Sequence, residues 1–260
     1  MPIEEIKTVC YIGAGTMGCF NSLAAAVSGY QVVLYDVDAA TLEAVPERHR
    51  EMAAMLVGGG YCTEEDIPGA LARVTLEGDL AMATRAADLV SESVFESLEL
   101  KREIHQQLDE VCPGKTILTT NTSSLLVSDI ESVVDRGDKF AAVHSYMGSR
   151  LVDIVAGPRT SPETMDILNR YIESLDLVPL VLKKEYPGYV MNTLLHAMLF
   201  TADLMVIEGI ASREEIDQAY MANLKTPMGP FGIMDMIGLD LIYGQLTQGG
   251  DRSPDSLQAR

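Results

Sequence analysis

Apolar runs of strand length alternate with helix-period stretches over most of this chain and then give way to helices alone. Strands are predicted at 8–12, 31–35, 73–76, 89–94, 116–120, 140–143, 151–155 and 177–182, where β-branched and aliphatic residues cluster. Helical spacing fills the intervals: a helix opening near Met17, one over 40–56 broken at Pro46, one over 63–71 and a charged one over 98–111. Another opens at Ser161-Pro162, an N-cap followed by proline at the first helical position. Such alternation specifies an α/β fold with a doubly wound, mainly parallel sheet covered by helices. Gly58-Gly59-Gly60 divides a crossover longer than two adjacent strands need, which predicts a helical hairpin projecting from the sheet. Near Tyr186-Pro187-Gly188 the strands stop. Helices at 189–208 and 212–221 follow, the second opened by a Ser212-x-x-Glu215 capping box, and a third starts at Pro230 with an interruption at Gly238. The boundary falls there, giving domains 1–186 and 187–260. So few helices bury a small core, so the second domain is expected to pack on another copy as a homodimer. The polar end, 249–260, is expected to be loose.

One turn carries more information than the rest. Ile12-Gly13-Ala14-Gly15-Thr16-Met17-Gly18 joins the first strand to the first helix, and the second strand then delivers Asp36. A glycine triplet in this strand–turn–helix–strand–acid setting reads as a Rossmann dinucleotide site. Gly13 makes the sharp turn, Gly15 leaves room for a pyrophosphate, and Gly18 lets the helix approach the sheet. The N–H groups of the first turn, at Thr16, Met17 and Gly18, meet the phosphates. Asp36 accepts the adenosine ribose hydroxyls and repels a 2′-phosphate, and no basic residue follows closely, so NAD is expected rather than NADP. The alternative is a glycine turn of another doubly wound protein, with Asp36 capping a helix.

Composition narrows the partners. A net charge of −19 excludes a nucleic-acid or anionic-membrane surface, which needs clustered Lys and Arg. The apolar run 189–207 is interrupted by Asn192, His196 and Asp203, so it reads as a helix buried in protein and no membrane span is expected. The N-terminus carries no basic-then-apolar leader, and the four cysteines show no metal or disulfide spacing. A cytoplasmic protein with reduced thiols and no metal site is the expectation.

Oxidising an alcohol by hydride transfer requires a group that takes the hydroxyl proton, and histidine suits neutral pH. Of the four histidines, His49 and His105 lie among charged residues on helices and are expected to be solvated. His144 ends a strand at the carboxyl edge, where open α/β sheets place ligands. His196, one turn after Asn192, is the weaker alternative. Asp153 on the following strand can orient the imidazole and stabilise its cation. Asn121-Thr122-Ser123-Ser124 ends a further strand at the same edge with amide and hydroxyl donors. Each has a plain structural alternative: a hydrogen-bonded His144, a surface Asp153, and an N-cap cluster at 122–124. Their shared position beside the dinucleotide turn favours chemistry.

The chain resembles the 3-hydroxyacyl-CoA dehydrogenase family over nearly its whole length. The likeness runs through the IGAGTMG turn, Asp36, Asp88-Leu89-Val90, Glu92 to Glu96, Leu100-Lys101, Asn121 to Leu125, His144, Pro187 to Asn192, Pro227 to Phe231, Asp235 and Gly238-Leu239-Asp240. The resemblance implies that His144 is the base for alcohol oxidation and the acid for ketone reduction. It implies that Ser123 bonds the reacting oxygen beside the nicotinamide, and that Asn192 reaches from the helical domain to the substrate carbonyl. It puts Glu96 and Lys101 near the nicotinamide-side ribose.

Three departures stand out. The loop Ser145 to Arg150 is shorter than the family's, and an aspartate, Asp153, stands where the family supplies a glutamate. Met52 and Gly59 occupy the hairpin positions where CoA-using members place a serine and a lysine, amid Glu43, Glu47, Glu51, Glu64, Glu65 and Asp66. The chain also ends at Arg260, before the family's last helical segment. The expected activity is NAD-dependent interconversion of a 3-hydroxyacyl-CoA and its 3-oxoacyl-CoA in fatty acid metabolism, on a short chain such as 3-hydroxybutyryl-CoA. Two alternatives stay open: a free 3-hydroxy or oxo acid as substrate, and a dinucleotide binder of low turnover.

Overall fold

A computed structural model describes residues 6–238. The predicted tail at 249–260 lies outside them. The chain divides between Pro187 and Gly188 into two compact units.

In the first unit, β1 (Thr8–Ile12), β2 (Gln31–Tyr35), β3 (Val74–Glu77), β4 (Leu89–Glu92), β5 (Ile117–Thr120), β6 (Phe140–Ser145), β7 (Leu151–Ala156) and β8 (Val178–Leu182) form one sheet. The order is β3-β2-β1-β4-β5-β6-β7-β8. Every neighbouring pair is parallel except β6 and β7. The chain therefore leaves β1 toward β2 and β3, then returns to β4 on its other side. That reversal opens a crevice at the carboxyl ends of β1 and β4, the place where such sheets hold ligands.

Helices cover both faces: α1 (Thr16–Val27), α2 (Ala39–Glu43), α3 (Val45–Gly58), α4 (Ile67–Leu71), α5 (Leu80–Thr84), α6 (Leu98–Val111), α7 (Val127–Glu131) and α8 (Pro162–Ser174). The break foreseen at Pro46 separates α2 from α3, and the Ser161 hydroxyl caps α8 by accepting from Thr164 N–H. Short α5 and α7 were not foreseen; neither is long enough to show a helical period.

The hairpin of α3 and α4 packs on α1. Val45, Met52, Ala53, Leu56 and Ala70 are buried in the same apolar cluster as Phe20, Leu23 and Ala26 of α1. These positions of α3 repeat at one-turn intervals, so the helix lays that stripe along α1 and turns its glutamates outward. His49 belongs to this stripe. It is 3% exposed, with Nε2 3.2 Å from Ser22 Oγ, so the expectation that it is solvated is wrong.

The second unit holds α9 (Met191–Ile207), α10 (Arg213–Leu224) and α11 (Pro230–Ile237). Among its described residues the core centres on Leu199 and Met234, both buried, with Leu195, Met198 and Phe231 against them. The predicted capping box is complete, Ser212 Oγ accepting from Glu215 N–H and Glu215 from Ser212 N–H. Asp217 accepts from Phe231 and Gly232 N–H at 2.8 and 2.9 Å, tying α10 to the start of α11. Gly238 ends α11 at φ +96°, and any continuation lies outside the described residues.

Candidate active site

The glycine turn is as tight as its composition demands. Gly13 has φ +96°, and its N–H donates to Tyr35 O at 2.8 Å, pinning the turn between β1 and β2. A Cβ on Gly18 would lie 1.8 Å from the Gly13 carbonyl oxygen, so no other residue allows this approach. At Gly15 a Cβ would meet nothing within 4 Å. Gly15 is the N-cap of α1 without a capping side chain, and no acid sits in the first turn. The N–H groups of Thr16, Met17 and Gly18 are thus left for an anion, with open room in front of them. Asp36 is oriented by two donors, Ala14 N–H at 2.8 Å and Asp38 N–H at 3.0 Å. Arg48 Nη1 donates to Ala14 O at 2.6 Å, bracing the same turn from α3. Open space at an anion-ready helix start, beside a held carboxylate, fits a dinucleotide with a free ribose.

At the ends of β4 and β5 lies a buried ionic cluster. Glu92 is fully buried. Its Oε1 accepts from Lys101 Nζ at 2.6 Å and Val94 N–H at 2.8 Å. Its Oε2 accepts from Thr120 Oγ1 at 2.7 Å and lies 3.2 Å from His105 Nε2. Burial alone would raise its pKa, but the His105 contact and the Lys101 charge outweigh that and hold it at about 2. His105, expected in solvent, is fully enclosed and stands edge-on to Phe140 with centroids 4.9 Å apart. Its stripe on α6 is Lys101, Ile104, His105 and Leu108, all buried. Lys101 is likewise enclosed, its ammonium spent on Glu92, on Val94 O at 3.4 Å and on Glu96 at 3.5 Å.

Glu96 passes this order to the serine loop. Its Oε1 accepts from Thr122 Oγ1 at 2.6 Å, Ser123 N–H at 2.8 Å, Ser124 N–H at 2.9 Å and Ser124 Oγ at 2.9 Å. Burial opposes its charge, yet Lys101 and these donors keep its pKa below the usual glutamate value. Ser123 Oγ is 3.5 Å away at the limit of that fan, which leaves the hydroxyl for another partner.

His144 stands on β6 directly across from Asp153 on antiparallel β7. The histidine is 7% exposed and the aspartate not at all. His144 Nδ1 lies 3.5 Å from Asp153 Oδ2, and the Tyr146 hydroxyl donates to that same oxygen at 2.5 Å. The Tyr146 ring meets the imidazole edge-on at 4.5 Å between centroids. Asn121 ties the strand ends together: its N–H donates to Glu92 O at 2.7 Å, and its Oδ1 accepts from Ser145 N–H at 3.2 Å. Arg150 anchors the short loop, donating to Gly60 O at 2.8 Å with its guanidinium 4.8 Å from the Tyr61 ring centre.

Gly13, Asp36, Glu96, Ser123 and His144 thus follow or end parallel strands and share one edge of the sheet. Asn192 and His196 lie in the first turns of α9, in the second unit. Met52, at 6% exposure, faces the core, whereas Gly59 is exposed at the end of α3. The sequence assigns no site role to Glu92 or Tyr146, and the antiparallel register that brings Tyr146 back to Asp153 has no sequence signature.

A dinucleotide turn with an imidazole–carboxylate pair on the same sheet edge defines a nicotinamide-dependent oxidoreductase. Comparison with known proteins gives the particular family. Residues 8–186 match the 3-hydroxyacyl-CoA dehydrogenase NAD binding domain, and residues 188–259 match the C-terminal domain of 3-hydroxyacyl-CoA dehydrogenase. A probable 3-hydroxybutyryl-CoA dehydrogenase of Bacillus subtilis is 33% identical over 240 residues, 91% of this chain and 83% of that protein. The mitochondrial hydroxyacyl-coenzyme A dehydrogenase of Rattus norvegicus is 34% identical over 90% of this chain and 77% of its own. The solved structure of a diketoreductase acting on dicarbonyl compounds superposes with a TM-score of 0.87 at 35% identity, covering 92% of this chain and 86% of that one. The chain belongs to the 3-hydroxyacyl-CoA dehydrogenase family, NAD-dependent oxidoreductases that act on CH–OH donors in fatty acid metabolism. Among the described residues no helix is long and apolar enough to cross a membrane.

Proposed function

We propose that His144 is the proton carrier of this dehydrogenase, acting on a short-chain 3-hydroxyacyl thioester such as 3-hydroxybutyryl-CoA. The observation that carries the reading is the pairing of His144 with buried Asp153 at the edge shared with the glycine turn. With Nδ1 facing Asp153 at 3.5 Å, Nε2 is the ring nitrogen that meets the substrate hydroxyl. Nε2 takes that proton as the alcohol is oxidised, and Asp153 stabilises the resulting imidazolium. In reduction the same atom returns the proton to the carbonyl oxygen. Ser123 Oγ donates to the reacting oxygen from the loop that Glu96 holds, and Asn192 positions the substrate carbonyl from the second unit. NAD, when bound, accepts the carbinol hydride or gives it back. Thr16, Met17, Gly18 and Asp36 hold it. Lys101, enclosed by protein, serves it only by fixing Glu96.

His144→Ala tests the assignment. Turnover falls roughly 10²–10⁴-fold while NADH affinity is retained. Unchanged turnover removes His144 and promotes His196.

Free 3-oxo acids form a second substrate reading. Glu43, Glu47, Glu51, Glu64, Glu65 and Asp66 are exposed on and beside α3, a repulsive surface for a multiply anionic CoA. Likeness to a diketoreductase points the same way. NADH oxidation with acetoacetyl-CoA and with acetoacetate separates the two: turnover of the thioester alone rejects the free acid.

The second unit exposes Leu194 at 60%, Ile207 at 78% and Met236 at 66%, which supports a homodimer through these helices. All four cysteines are unbridged, consistent with a reducing, cytoplasmic setting.

A further inference from the structure

We infer that Tyr146 is a positioning residue for the proton carrier, acting through Asp153; this rests on His144 having that role. Three features point to it. Asp153 is fully buried, and its Oδ1 has no hydrogen-bond partner, so what is bonded to Oδ2 decides how the carboxylate stands. The Tyr146 hydroxyl makes that bond at 2.5 Å, whereas the imidazole Nδ1 lies 3.5 Å from the same oxygen. The Tyr146 ring in turn lies edge-on to the imidazole, with centroids 4.5 Å apart and planes at 82°. One side chain therefore grips both members of the pair.

The chemistry follows from the shortness of the aspartate arm. Across an antiparallel pair the backbones of His144 and Asp153 are fixed by the sheet, so a side chain one methylene short must be aimed to be of use. A phenol hydroxyl on Oδ2 fixes the carboxylate rotamer with that oxygen toward Nδ1. It also supplies a donor that a buried carboxylate needs before the imidazolium forms. The ring packs beside the imidazole and limits its rotation. Tyr146 keeps its proton throughout; the proton moves only between substrate oxygen and His144 Nε2. The compact loop is part of the device, since Arg150 anchors it to Gly60 and Tyr61 and so returns Tyr146 over β7.

Tyr146→Phe removes one oxygen and keeps the ring. It should lower kcat roughly 10-fold with KM for NADH and for the acyl substrate unchanged, the scale of a lost hydrogen bond to a charged group. Because the effect runs through Asp153, Tyr146→Phe added to Asp153→Asn should cost nothing further. Asp153→Glu, whose longer arm reaches the imidazole without help, should restore most of the rate to Tyr146→Phe. An unchanged kcat in Tyr146→Phe, or losses in the double variant that multiply, overturns the inference. Should Tyr146→Phe fail to fold, Tyr146→His, which keeps a ring and a donor, takes its place in the native and Asp153→Glu backgrounds: a kcat loss that Asp153→Glu removes upholds the inference, and a loss equal in both backgrounds, or none in either, refutes it. His144→Ala is measured alongside. If that variant keeps full turnover, the proton-carrier reading fails by itself, whatever Tyr146→Phe does.

Discussion

Lys101→Met should destabilise the first unit by about 3 kcal/mol, and most of that loss should come from the carboxylate left behind. The ammonium is wholly enclosed, 2.6 Å from Glu92 and 3.5 Å from Glu96. Methionine fills a similar volume, so packing changes little. What changes is that Glu92 keeps its charge without its counter-ion. Removing one partner of a buried pair generally costs about 3–5 kcal/mol. Glu92 retains His105, Thr120 and Val94 N–H, which places the cost at the lower end. Against a typical stability of roughly 5–15 kcal/mol this is a large fraction. With a urea m-value of about 2–3 kcal/mol per molar, the midpoint falls by roughly 1–1.5 M.

Equilibrium urea unfolding, followed by a probe in the first unit, checks this. Glu92→Leu combined with Lys101→Met is the control, because replacing a whole buried pair by apolar residues is often close to neutral. The double variant should therefore be more stable than Lys101→Met alone. A loss below about 1 kcal/mol for Lys101→Met, or a double variant worse than the single, would refute an ionic role for the cluster. The same substitution should weaken activity through Ser123, since Glu96 holds that loop from a position next to the lost cation.

Two further outcomes follow from the same geometry. Asp36→Ala should relax the preference for NAD over NADP by roughly 10- to 100-fold, the worth of a charged hydrogen bond and its repulsion of phosphate; the ratio of kcat/KM values reports it, and an unaltered ratio removes Asp36 from the discrimination. Acid should weaken the fold through Glu92, whose native pKa of about 2 lies below its ordinary value of 4.5. A depressed carboxylate stabilises the native state above pH 4.5, and that contribution drains away as pH falls toward 2. Glu92→Gln should flatten the slope of stability against pH in that window, and a slope indifferent to the substitution would disprove the assignment.

Much of this site was readable because its parts depend on local chemistry. Gly13 and Gly18 each answer a constraint that one residue type meets, Gly15 leaves open room at the helix start, and Asp36 follows at the end of the next strand. The place of His144 was legible for a related reason, since a strand ending at the carboxyl edge of a parallel sheet can be read from its apolar run, and the structure sets it there on β6. The errors share a cause as well. His49 and His105 were read as solvated from charged neighbours, yet both sit on buried stripes with Met52 and Leu56 or Ile104 and Leu108. A polar residue in a stripe looks like the edge of an apolar face until its buried partner is known. For His105 that partner is Glu92, thirteen positions away on another element. Tyr146 is the clearest instance: nothing in Ser145-Tyr146-Met147 shows that its hydroxyl bonds the aspartate facing His144. Its meaning arises only when β6 and β7 pair antiparallel and Asp153 comes to face His144. Long-range pairing therefore decides which polar side chains of this chain meet: Asp153 comes to face His144, and Tyr146 comes to bond Asp153, only through the β6–β7 register.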